Sequence, residues 1–177
     1  MPEAHNNLGI LQSAAGEASF REAIRIKPDY ADAHGNLASL LAATNRLSEA
    51  QSEFDGALRL NPKDAGTRYN YAMLLGRLRR YDGAQRELEA CLRADPAFAD
   101  GHELLADLSL ARNNPKEAAT HYREAARLRP TSMRAVFGLG MAIAASGDSA
   151  AAIPHLRKAA VGPDAEIRQK AAEALRR

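Results

Sequence analysis

Two sets of residues in this chain recur at matching places and invite a chemical reading. His5, His34 and His102 each stand three residues before a leucine (Leu8, Leu37 and Leu105), as a ladder of metal ligands would. Ligands of one ion must converge to about 2.1 Å from it, whereas packed helices lie on the order of 8–10 Å apart. No second ligand stands at helical spacing beside any of the three, so they are expected as packing residues in place of a bulky side chain. His121 and His155 are expected on solvated surface. Cys91 is the single cysteine, which excludes an internal disulfide and a four-thiolate site. It stands where other units carry alanine and is expected as a small buried residue. No carboxylate pair, Ser-His-Asp ordering or phosphate-cradling loop stands out, and Gly138-Leu-Gly140 lacks a preceding strand. Catalysis, a cofactor and a bound metal are therefore not expected.

The second set is polar. Asn7, Asn36 and Asn70 immediately precede Leu8, Leu37 and Tyr71, and Leu104 and Gly138 take the same place further on. One residue earlier on the same face come Asn6, Gly35, Tyr69, Glu103 and Phe137; three later come Ile10, Ser39, Met73, Asp107 and Met141; a further turn brings Arg77. A side-chain amide both donates and accepts, so a row of asparagines can pair with an extended backbone of any sequence. The candidate partner-binding residues are Asn7, Asn36, Asn70, Tyr69, Met73, Arg77, Glu103, Leu104, Asp107, Phe137 and Met141. Arg77, Arg79, Arg80 and Arg86 form a basic edge, expected as a solvated face, with contact to an acidic partner as the alternative.

The elements that must position these residues follow from a 34-residue step. Phe20, Phe54, Leu88, Tyr122 and Leu156 keep it, as do Ala23, Ala57, Cys91, Ala125 and Ala159, and Pro28, Pro62, Pro96 and Pro130. Leu37, Tyr71, Leu105 and Leu139 keep it too, each followed by a small residue. Within a unit, Ala33, Leu37, Leu40 and Leu41 mark one helix, Thr44-Asn-Arg46 a turn, and Ala50, Phe54, Ala57 and Leu58 a second helix, stopped before Pro62. A helix pair of this size cannot bury both apolar faces alone, so neighbouring pairs must stack.

This pattern resembles the tetratricopeptide repeat (TPR) over about residues 1–164. The resemblance implies an all-α, right-handed superhelical solenoid of antiparallel helix pairs, with the first helix of each pair lining a concave groove. The expected organisation is a single array over 1–177, with repeats near 1–30, 31–64, 65–98, 99–132 and 133–164 and a capping helix at 165–177. The last segment also suits the first helix of a further repeat. The asparagine strip resembles the asparagine ladder of the O-GlcNAc transferase superhelix. A carboxylate clamp of the chaperone-binding kind is not expected, because Asn6, Gly66 and Asn70 stand where it needs basic groups.

The function expected is a non-catalytic scaffold binding a protein or extended peptide in the groove. The alternatives are a substrate-presenting domain of a larger enzyme and a structural module that pairs copies through the exposed repeat ends. A net charge of +2 argues against a nucleic-acid partner. No apolar run is long enough to span a bilayer, and no leader is visible, which leaves localisation open. The bias towards arginine and alanine points to a GC-rich bacterial source. One stretch breaks the pattern: Leu8 and Gly16 lie only 29 residues before Leu37 and Asn45. Five residues are expected to be missing between Gly16 and Glu17, with the two held apart across a helix turn; the alternative is a genuine deletion that deforms the first unit.

Overall fold

The computed structural model describes residues 1–11 and 16–176, with the side chains of 9–11 left aside. These residues form eleven α-helices in two compact units, 1–94 and 95–177. The first unit holds α1 (Pro2–Leu11), α2 (Gly16–Ile26), α3 (Ala31–Ala43), α4 (Leu47–Leu60), α5 (Ala65–Arg77) and α6 (Tyr81–Ala94). The second holds α7 (Ala99–Ala111), α8 (Pro115–Leu128), α9 (Met133–Ala145), α10 (Ser149–Ala160) and α11 (Ala165–Ala174). No strand occurs among the described residues. In each unit every helix packs on the next within its pair, and the second helix of a pair packs on the first helix of the following one. The first helices also touch one another, α1 on α3, α3 on α5 and α7 on α9.

Burial follows the 34-residue step. Phe20, Phe54, Leu88, Tyr122 and Leu156 are all buried, as are Ala23, Ala57, Cys91, Ala125 and Ala159. Small residues let helices approach: a Cβ on Gly140 would lie 2.8 Å from Leu156 Cδ2, and one on Gly138 would lie 2.4 Å from the Tyr122 ring. Each pair of complete length turns on one left-handed residue, Asn45 (φ 64°), Arg79 (φ 58°), Asn113 (φ 58°) or Gly147 (φ 98°). Asparagine and glycine tolerate that backbone; for Arg79 it costs about 1–2 kcal/mol. Caps are local: Asp64 accepts from the Gly66 and Thr67 amides, Asn114 from Glu117 and Asp164 from Ile167.

The first pair departs from expectation. Gly16 and Glu17 are consecutive residues of α2, so no break separates them and Gly16 is not a turn residue. Residues 12–15, where part of the expected turn would fall, lie outside the described residues. Leu8, the counterpart of Leu37, is 41% exposed, while Asn6 is buried, as are Gly35 and Glu103 at the same place in later units.

Candidate functional site

The side chains that brace one helix pair come first, because they settle the histidines. His34 Nε2 lies 3.0 Å from the Pro28 carbonyl and its Nδ1 2.6 Å from Glu53 Oε2. One repeat on, Arg68 donates from Nε to the Pro62 carbonyl at 2.9 Å and pairs with Glu87. Another repeat on, His102 Nε2 lies 3.2 Å from the Pro96 carbonyl and its Nδ1 3.0 Å from His121 Nδ1. Each side chain therefore ties its first helix both to the loop six residues back and to the second helix of its own pair. These histidines are hydrogen-bonding braces rather than apolar fillers, and His121 is half-buried against His102 rather than solvated. Arg168 donates to the Gly162 carbonyl at 3.0 Å with the same offset of six. Helix α11 thus carries the mark of a repeat's first helix, which a plain cap lacks. Among the described residues no group of three or more His, Cys, Asp or Glu could hold a metal ion, and no helix is long and apolar enough to cross a membrane.

In the first unit the asparagine strip exists but is partly spent on the protein itself. Asn36 donates from Nδ2 to Oδ1 of the buried Asn6 at 3.0 Å, linking α3 to α1. Asn70 donates to Ser39 Oγ at 3.3 Å, linking α5 to α3. Asn7, expected as the first rung, is exposed, and Asn6 takes its place opposite Asn36. Tyr69 is half-buried and Met73 is exposed. Arg77 reaches back along the helix ends to the Ala42 carbonyl at 2.7 Å and to Asn45 Oδ1 at 3.3 Å.

The second unit groups its candidates differently. Glu103 is buried: Ser132 donates to it at 2.7 Å and Arg134 Nε lies 3.6 Å away, so this carboxylate faces α9 and is not open to a partner, against expectation. Asp107 accepts from both the Tyr122 phenol and Arg134. Burial first, and then the bond to Asp107, push the Tyr122 phenol far above its usual range. Gly138 lies buried beneath the Tyr122 ring, and Leu104 is half-buried. Phe137 and Met141 line a cavity of about 560 Å³ with Ile153 and Leu156 of α10, Ala174 of α11 and Leu175 just past its end. Arg134 carried no signal in the sequence, because Asp32, Gly66 and Asp100 precede it at the same place and none of them is basic.

Helix pairs, turns and the braces at His34, Arg68 and His102 recur in one register, and the family comparison agrees. The model of the tetratricopeptide repeat matches residues 2–65, 69–132 and 105–167. The chain belongs to the tetratricopeptide repeat family. Among solved structures it resembles Pseudomonas aeruginosa pilF, with a TM-score of 0.84 at 22% identity over 98% of this chain and 88% of that one. It resembles MamA with a TM-score of 0.78 at 15% identity, over 97% and 94% of the two chains. It also resembles YrrB, described as a TPR protein with an unusual peptide-binding site, with a TM-score of 0.77 at 18% identity over 96% and 90%. Likeness at these identities is likeness of fold. No curated protein sequence matches the chain.

Proposed function

We propose that this protein binds another protein or an extended peptide along the faces of its first helices, without chemistry of its own. The cavity of about 560 Å³ in the second unit carries this reading. Its walls are mostly apolar, and Met141, Ile153 and Leu175 remain 36–39% exposed around it. A recess with an exposed apolar rim suits an apolar side chain of a partner. In the first unit, Asn36 and Asn70 spend one donor each on a neighbouring helix and keep a carbonyl oxygen that can accept from an extended backbone. This is two rungs of an asparagine ladder rather than three. TPR membership supports the reading, as does the peptide-binding site described for YrrB.

The test is selection of peptides from a random display library by the intact protein, followed by titration of the selected peptides. Met141→Asp and Ile153→Asp alter exposed side chains, which usually changes stability by no more than about 0.5 kcal/mol. Each is expected to weaken binding by about tenfold or more, as loss of a buried apolar anchor does. Selected peptides whose affinity survives both changes reject the cavity as the site.

A further inference from the structure

We infer that the basic edge at the α5–α6 turn is a second docking surface, taking an acidic polypeptide segment. The repeat itself supplies the comparison. In the preceding turn Arg46 meets two carboxylates, Glu17 at 2.7 Å and Glu49 at 2.6 Å. One step of 34 residues later Arg80 takes the place of Arg46, while Gln51 takes that of Glu17 and Gly83 that of Glu49. Both neutralising carboxylates are gone, and among the described residues Arg80 donates to the neutral Gln51 Oε1, at 2.8 Å. A further arginine has been added: Arg79 stands where Asn45, Asn113 and Gly147 stand in the other turns, and it holds φ at 58°. That backbone disfavours arginine relative to glycine or asparagine, so the sequence keeps a charge here against local conformational preference.

The surrounding groups reinforce the charge. Arg77 satisfies its guanidinium on a backbone carbonyl and an amide, not on a carboxylate. Arg86 folds back towards the turn, its Nη2 3.9 Å from where a Gly83 Cβ would lie. Elsewhere in this unit Arg21, Arg25, Arg46 and Arg68 each pair with a glutamate. Asp82 is the one acid within the stretch 77–86, so the edge carries a local excess of positive charge. Tyr81 is 42% exposed among the arginines and offers an apolar face. A partner with several Asp or Glu residues and one apolar side chain matches this composition. A nucleic acid fits less well, because a net charge of +2 on the whole chain supplies no long basic track for a phosphate backbone.

The experiment uses the full chain and a labelled twelve-residue peptide rich in Glu with one Phe, followed by fluorescence anisotropy at low and high salt. A Lys-rich peptide of the same length and a single-stranded oligonucleotide are the comparisons. Binding of the acidic peptide alone, weakening as salt rises, is expected. Two variants separate recognition from folding. Arg79→Gly removes the disfavoured left-handed arginine and is expected to raise the melting temperature by about 2–4 °C. Gly83→Glu restores a carboxylate beside the edge and replaces a helical glycine, so it too is expected to leave stability unchanged or higher. Both are expected to weaken the acidic peptide by about fivefold, an ordinary value for one exposed charge pair. Equal binding of acidic and basic peptides, parental affinity in both variants, or a preference for the oligonucleotide overturns the proposal. Met141→Asp, in the other unit, is expected to leave this binding unchanged, so the edge fails or stands independently of the groove.

Discussion

Phe54 and Tyr71 stack their rings with centroids 5.2 Å apart and planes 20° apart, joining the second helix of one repeat to the first helix of the next. Phe54 has no exposed surface, and it stands at the large position of the 34-residue step. Burial and the neighbouring Asp55 push the Tyr71 phenol up to about 12. Phe54→Ala leaves a void at a junction between pairs, where each repeat leans on its neighbour. A loss of about 3–5 kcal/mol is expected. Urea unfolding followed by circular dichroism checks it, and a midpoint close to the parent's contradicts the packing described.

The brace at Arg68 makes a prediction from within the repeat. Its guanidinium is mostly buried and serves both Glu87 and the Pro62 carbonyl. Arg68→Ala strands a half-buried carboxylate and a loop carbonyl, at a cost of about 1–3 kcal/mol. Arg68→His installs the residue type found at His34 and His102, where the same loop carbonyl is contacted. It is expected to recover at least half of that loss. Equal destabilisation by both substitutions in thermal melts shows that the brace depends on arginine alone.

These two sites show how much the sequence discloses. The stacked pairs were legible because close packing admits only small residues at Ala57 and Cys91 and only large ones at Phe54 and Leu88, and this constraint recurs with every unit. The braces were not, since His34, Arg68 and His102 differ in type and share only reach and direction. The first pair misled because Gly16, which keeps the place of the turn residue Asn45 at a step of 29, lies in α2. In the candidate site, Phe137 and Met141 were legible as members of the mixed strip on the first helices. The turning of Glu103 towards Ser132 and Arg134 depends on residues that repeat nowhere else.

Acid is expected to destabilise the protein in two separate windows. His155 has its imidazole held below the usual 6.5, by burial first and then by Arg123 and Lys158. The fold therefore prefers the neutral ring, and this contribution is complete above pH 6.5 and lost as pH falls towards the lowered value. Glu17 has its carboxyl held below 4.5 by hydrogen bonds from Arg46 and then Arg21. Its contribution is present above pH 4.5 and is lost as pH falls through the lowered value. Denaturant midpoints measured across pH separate the two. His155→Gln is expected to flatten the upper window alone, and Glu17→Gln to make the lower one shallower alone, since Glu22, Glu49, Asp100 and Glu124 are lowered as well. A profile in which either change flattens both windows refutes this assignment.

Asn36 and Asn70 look alike in sequence but differ in what they leave behind when removed. Asn36 donates to Asn6, which is 4% exposed, so Asn36→Ala takes a partner from a buried amide oxygen and is expected to cost about 1–2 kcal/mol. Asn70 donates to Ser39 Oγ at 3.3 Å, and that hydroxyl already donates to the Gly35 carbonyl at 2.9 Å. Asn70→Ala therefore strands no buried group, and its cost is expected to stay within about 0.5 kcal/mol. Asn70→Ala is thus the cleaner probe of the groove, because weaker binding of a selected peptide cannot be ascribed to a weakened fold. Asn36→Asp keeps an acceptor towards the groove but loses the donor to Asn6, so it is expected to destabilise at least as much as Asn36→Ala. Chemical denaturation of the three variants beside peptide titrations decides the matter. Equal stability of Asn36→Ala and Asn70→Ala shows that the Asn6–Asn36 bond does not hold α1 against α3.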